Sequence, residues 1–159
     1  MAIAQSFEDF FEVEHDGLMG ALYLVTGDRH EAEEAMQEAF VRVWERWDVV
    51  QSFSNPTGYL YRVAINVWRM RQRRLRVAAR RLTRAPRVSD AFEDVELRED
   101  VRRALASLPA RKRAALVLTD LLGYPASEAA VALRVRPSTI RSLTTQARAS
   151  LRVTLGEAR

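Results

Sequence analysis

A chain of 159 residues that is 48% hydrophobic and 29% charged can bury one core or two small ones, and this balance argues against disorder throughout. With no cysteine it holds neither a disulfide nor a cysteine-ligated zinc, and its two histidines, His15 and His30, stand apart with no metal-ligand pattern around them. The net charge of +4 is strongly segregated: residues 1–48 carry −9, residues 49–87 carry +10 with no acid among them, and residues 88–159 carry +3.

In chain order, Phe7, Phe10 and Phe11 begin a helix that runs on through Leu18, Ala21, Leu22 and Val25 and stops at Thr26-Gly27, where glycine tolerates positive φ. Asp28 then reads as an N-cap, with Glu31 in the capping-box position. Ala32, Ala35, Met36, Ala39, Phe40, Val43, Trp44 and Trp47 recur at intervals of three and four, the apolar stripe of an amphipathic helix. Its other faces carry Glu33, Glu34, Gln37, Glu38, Arg42 and Glu45. Taken alone, these are a solvated surface.

Asn55-Pro56 is a helix N-cap followed by proline at the first helical position. The helix it opens buries Leu60, Val63, Ala64 and Val67 along one stripe, and a second stripe about 100° away presents Tyr61, Ile65 and Trp68. Beyond it lie Arg62, Asn66, Arg69 and Arg73. Aromatic rings among arginines suit single-stranded nucleic acid, where bases stack on rings and cations follow the backbone. The same rings can equally pack on a neighbouring helix, and the pattern by itself does not choose.

A shift from basic to acidic composition marks a linker over 81–94, dividing a module at 1–80 from one at 95–159. The second module starts with Val95, Val101, Ala104, Leu105 and Leu108, breaks at Pro109, and continues through Ala114, Val117, Leu118 and Leu121 to Gly123. The stretch 126–152 then gives a short helix of small residues, a turn at 134–136, and a longer helix opening at Pro137. Ile140, Leu143, Ala147 and Leu151 define its buried side and leave Ser138, Arg141, Ser142, Thr145 and Arg148 on another face. This is the pattern of a helix-turn-helix with its recognition helix starting near Ser138; the bland alternative is a helical hairpin with a solvated face. Every signal is helical, so the expected fold is all-α, in two small domains. No convergent acid, base or nucleophile set suggests an enzyme.

Three stretches together resemble the extracytoplasmic-function family of bacterial RNA polymerase sigma factors, over roughly residues 6–153. VTGDRHEAEEAMQEAFVRVWERW at 25–47 looks like the family's core-polymerase-binding helix, NPTGYLYRVAINVWRMRQRR at 55–74 like its promoter-melting and minus-ten element, and residues 108–152 like its minus-thirty-five reader. The resemblance implies that Glu34, Gln37, Glu38 and Arg42 face the clamp helices of the polymerase β′ subunit, with the β subunit as a further contact. It implies that Tyr61, Arg62, Asn66, Trp68, Arg69 and Arg73 take unpaired minus-ten bases and their backbone. It assigns Arg136, Ser138, Thr139, Arg141, Ser142 and Thr145 to duplex minus-thirty-five DNA.

The implied protein is an alternative sigma factor without cofactor, metal or catalytic residues, with an anti-sigma factor as a further candidate partner. Cytoplasmic location and no membrane insertion are expected, because no apolar run approaches the ~20 residues of a bilayer span and MAIAQSFEDFFE lacks a signal-peptide pattern. Three departures stand out: Ile65 where the family often has arginine, Met70 where aspartate is common, and Arg134 where the turn usually has glycine. Two other readings remain: a dimeric helix-turn-helix regulator that binds duplex operators without polymerase, and an adaptor that binds single-stranded RNA or protein through the arginine strip.

Overall fold

The computed structural model describes residues 5–79 and 99–157; the expected linker at 81–94 lies outside the described residues. Eight helices and no strand occur among the described residues: α1 (Phe7–Thr26), α2 (Arg29–Trp44), the single turn α3 (Trp47–Val50), α4 (Pro56–Ala79), α5 (Glu99–Ser107), α6 (Ala110–Leu116), α7 (Ala126–Leu133) and α8 (Pro137–Glu157). A π-helical turn, Val117–Leu121, prolongs α6. No described helix is long and apolar enough to cross a membrane.

Local chemistry sets most boundaries. Ser6 caps α1, accepting from the Asp9 amide at 3.1 Å, and Gly27 ends the helix at φ +69°. Asp28 accepts from the Glu31 amide at 3.0 Å, but the expected return half of the capping box is absent. The Asp28 amide donates instead to Thr26 Oγ1 at 3.1 Å, and the Glu31 carboxylate accepts from Gln72 Nε2 of α4 at 3.1 Å. Asn55 caps α4 by accepting from the Gly58 amide at 2.9 Å. The expected stripe of α2 is buried from Ala32 to Val43, but Trp44 is 60% exposed. At 100° per residue it sits at the edge of that stripe, and the chain breaks immediately after it. Trp47, beyond the break, packs against Phe7 and Phe10 at ring-centroid distances of 5.6 and 4.9 Å.

In the first module α2 lies against both α1 and α4; in the second, α5, α6 and α7 gather around α8. The modules are not separate bodies. α7 packs on α4 and α6 packs on α1, so one continuous core runs from Phe10, Leu22 and Val43 through Leu60, Ile65 and Trp68 to Leu118, Ala129, Leu133 and Ile140. A smaller cluster of Leu105, Leu108, Leu116 and Ala147 completes the second module and also touches Leu24 of α1.

Candidate nucleic-acid and polymerase interface

The aromatic stripe of α4 lies inside this shared core. Tyr61, Ile65 and Trp68 are buried, where the stacking reading requires rings open to bases. The helix-turn-helix covers them: Tyr124 approaches Tyr61 with ring centroids 6.3 Å apart, and the small Ala129 and Ala132, with Leu133 beside them, let α7 lie close on α4. Gly17 of α1 completes the fit, since a Cβ there would stand 3.1 Å from the Tyr61 hydroxyl. Burial, then the charge of Glu14 and the neighbouring Tyr124, push the Tyr61 pKa up to about 12. Of the other residues expected on this surface, Arg62 and Arg73 are exposed, while Asn66 and Arg69 are half-buried. Asn66 Oδ1 and Trp68 Nε1 are buried without a protein hydrogen-bond partner.

One half-buried cation joins the modules. Arg113 of α6 donates from Nε to the Val25 carbonyl at 2.7 Å and from Nη2 to the Thr26 carbonyl at 3.3 Å. Those are free carbonyls at the C-terminal end of α1, where the helix dipole favours a positive charge. Its Nη1 also donates to the Leu108 carbonyl at 3.3 Å, fixing the guanidinium to its own module. Burial pushes the Arg113 pKa down and Glu31 partly opposes this.

Beside Tyr61 the modules enclose a cavity of about 410 Å³, lined on one side by Phe53, Asn55, Tyr59 and Arg62 and on the other by Tyr124 and Glu128. Phe53 and Tyr59 meet edge to face at 5.2 Å. In the sequence the two rings are marked only by an aromatic on either side of the Asn55-Pro56 cap.

On α2, Gln37 and Arg42 are exposed, but Glu34 and Glu38 are not free charges. Arg71 of α4 pairs with Glu34 and lies 3.5 Å from Glu38, and Arg42 pairs with Glu38 at 2.6 Å. Reversing either acid would set a cation against Arg71. Next to this face an open groove of about 770 Å³ between α1 and α2 is lined by Phe7, Phe11, Gln37, Phe40, Val41 and Trp44. Val41 and Trp44 are 53% and 60% exposed.

The recognition helix shows the opposite situation from α4. Arg136, Ser138, Arg141, Ser142 and Thr145 are exposed and Thr139 is half-buried, while Ile140 and Ala147 are buried. Buried Thr144 satisfies its hydroxyl by donating to the Ile140 carbonyl at 3.0 Å. Arg148 is engaged by Asp120 in a two-pronged pair at 2.8 and 2.6 Å, which holds the Asp120 carboxyl below its usual range. The turn closes on Arg134 at φ +51°, the left-handed conformation that glycine normally supplies.

Two family matches coincide with the two modules: Sigma-70 region 2 over residues 10–78 and Sigma-70, region 4 over residues 98–151. Together they define a transcription factor of the sigma-70 class, with its region 2 and region 4. The chain is 31% identical over 162 residues to the ECF RNA polymerase sigma factor SigE of Mycolicibacterium smegmatis, a match covering 95% of this chain and 62% of that protein. It is 29% identical over 152 residues to SigM of Mycobacterium tuberculosis, covering 95% and 78%. The chain belongs to the extracytoplasmic-function family of RNA polymerase sigma factors. Among solved structures, the sigma factor RpoE from Bartonella quintana, in complex with the anti-sigma factor NepR, shares the fold with a TM-score of 0.79 at 21% identity, over 96% of this chain and 98% of that one. A duplex-operator regulator would have no need of region 2, and nothing observed favours that alternative.

Proposed function

We propose that this chain is an alternative sigma factor that binds core RNA polymerase in the cytoplasm and directs it to promoters, and that the arrangement seen is its closed state. The observation that carries the second half is the burial of Tyr61, Ile65 and Trp68 under α7. The surface expected to take melted bases is covered by the module expected to read duplex DNA. Exposed Arg136 just before α8 and exposed Ser138, Arg141, Ser142 and Thr145 on it, with half-buried Thr139 between them, would enter a major groove without disturbing Ile140 or Ala147.

Opening would expose Tyr61 and Trp68 of α4 next to half-buried Tyr59 and already exposed Phe53, beside Arg62, Asn66, Arg69 and Arg73. Unpaired bases then bind only the open form, so core polymerase and melted DNA draw the chain open by differential affinity. Docking on polymerase would use Glu34, Gln37, Glu38 and Arg42 together with the adjoining Val41 and Trp44 groove, an apolar centre with a polar rim. A solved relative with this fold is bound to an anti-sigma factor, and a partner of that kind is compatible with the closed form of this chain.

The test is reconstitution: the chain with core polymerase and a promoter template, assayed for promoter-dependent transcripts and for distance between the modules. Transcription that depends on the chain, with module separation on binding, is the expected result. Failure to bind core polymerase refutes the sigma assignment, and transcription with the modules still in contact refutes the closed-state reading.

A further inference from the structure

A second cleft between the modules, of about 330 Å³, is lined by Arg69, Arg73 and Arg76 of α4 and by Arg111 of α6, over Trp68 and Leu133. Arg134, at the left-handed turn after α7, is not in the lining but stands near enough for its charge to act on Arg69. Burial first, and then the charges of Arg134, Arg73 and Arg111, push the Arg69 pKa down. Among the described residues, no carboxylate lines the cleft and none of these five arginines has an ion pair. Arg69 Nη1 is buried without a partner. Arg69 is half-buried and the other four are exposed, whereas half-buried Arg71 pairs with Glu34, although its Nε also lacks a hydrogen-bond partner, and Arg113 is held by main-chain carbonyls. This cleft gathers like charges from both modules, with no counter-charge among the described residues.

Convergent guanidinium groups repel one another across the α4–α7 contact, so the closed state lacks a counter-charge at this point. The missing chemistry is specific. Planar forks on three sides suit the tetrahedral oxygens of phosphate, which accept paired N–H donors, and several positive charges call for more than one negative charge. The volume lies at the small end of ligand pockets, room for a short phosphate chain. We propose that the cleft binds a small multivalent phosphate anion, such as inorganic pyrophosphate or the phosphate tail of a nucleotide, which bridges Arg69 and Arg73 of the first module to Arg111 of the second and holds the chain closed. The inference rests on the closed state proposed above. Because its ligands come from both modules, the anion stabilises the closed form alone, and by linkage it opposes every partner that needs the open one.

The test titrates inorganic pyrophosphate into the full chain at constant ionic strength set with chloride. Thermal denaturation and energy transfer between dyes on Leu75→Cys and Val131→Cys, both exposed positions, report binding and closure. Expected are a saturable rise in the melting midpoint, a larger closed population, and weaker binding of a single-stranded oligonucleotide. Arg111→Gln should lower pyrophosphate affinity roughly tenfold or more, the scale of a charge-assisted contact, while circular dichroism and core-polymerase binding stay unchanged. Arg111→Lys, which keeps charge and loses the fork, should fall between. Equal effects of sulfate and pyrophosphate, or no dependence on Arg111, would reduce the effect to screening and overturn the proposal. An oligonucleotide that closes the chain with the same Arg111 dependence would overturn it as well, by making the cleft a nucleic-acid backbone site. Loss of core-polymerase binding by the unmodified chain would strike the sigma assignment and leave the pyrophosphate result standing on its own.

Discussion

If the modules are held together as seen, Arg113→Ala should release them. The guanidinium makes one short inter-module hydrogen bond, to the Val25 carbonyl at 2.7 Å, and one long one, to the Thr26 carbonyl at 3.3 Å. A hydrogen bond from a charged donor contributes about 1.5–3 kcal/mol, and the carbonyls of α1 regain water once the modules part, so a net of about 2 kcal/mol is the appropriate scale. That shifts the closed-to-open ratio by about 30-fold. Where the closed form dominates, the apparent affinity for an open-state ligand scales with the open fraction, so binding of a single-stranded minus-ten oligonucleotide should strengthen by up to about 30-fold. The chain has no cysteine, so cysteines introduced at Leu75 and Val131 are unique dye sites. Energy transfer reads the separation and fluorescence anisotropy reads the oligonucleotide. Arg113→Lys, with one ammonium in place of the fork, should give an intermediate value and guards against a fold defect in the alanine variant. Unchanged transfer together with unchanged oligonucleotide affinity would refute the latch.

Arg134→Gly should stabilise the chain by about 1 kcal/mol, because an L side chain at φ +51° is strained; calorimetry should show the midpoint rising by about 2–4 °C, and a fall would mean that the side chain makes a contact worth more than the strain. Trp44→Ala should weaken binding to core polymerase with little change in melting temperature, since the ring is 60% exposed; a competition assay that finds wild-type affinity removes the α1–α2 groove from the docking surface. Arg141→Ala should cost about 1–3 kcal/mol on a preferred upstream duplex and relax discrimination there; equal losses on scrambled duplexes would demote it to a phosphate contact. With the Tyr61 pKa raised to about 12 in the folded chain, the folded form holds the phenolic proton that the unfolded chain gives up near 10. Stability present below pH 10 is therefore lost as pH rises toward 12. Urea denaturation should show that loss, and Tyr61→Phe should flatten it.

Helix existence and most boundaries were legible because they depend on residues near in sequence: Asp28, Asn55-Pro56, Gly27 and Gly123 act within a turn of where they stand. The helix-turn-helix was legible for the same reason, down to the left-handed position that Arg134 occupies. The fate of Tyr61 and Trp68 was not. A ring beside arginines looks the same whether α7 or a base covers it, and only the long-range pairing of α4 with α7 decides. Glu34 and Glu38 were similarly ambiguous, because their partner, Arg71, lies on another helix 37 positions from Glu34. The outward turn of Trp44 escaped a count of three- and four-residue intervals that ignored its angle at the edge of the stripe.

The closed contact carries costs that bear on how it is used. In the closed arrangement Asn66 Oδ1 and Trp68 Nε1 are buried without partners, and each unsatisfied group forfeits about 1–3 kcal/mol relative to a hydrogen-bonded one. It also sets Arg69 near Arg73, Arg111 and Arg134 with no acid beside it among the described residues. Against these stand the burial of the Tyr61, Ile65 and Trp68 side chains and the Arg113 latch. Apolar burial gains roughly 1.5–3 kcal/mol per large side chain, so the opposing sums are of similar size. An interface balanced in this way opens for modest differential binding. DNA could supply it by offering phosphates to the crowded arginines and hydrogen-bonding or stacking groups to Asn66 and Trp68, the atoms and charges that closure leaves unsatisfied. The defects of the closed contact are thus features that a nucleic-acid ligand is chemically equipped to relieve, which makes the same α4 surface suited both to self-covering and to DNA.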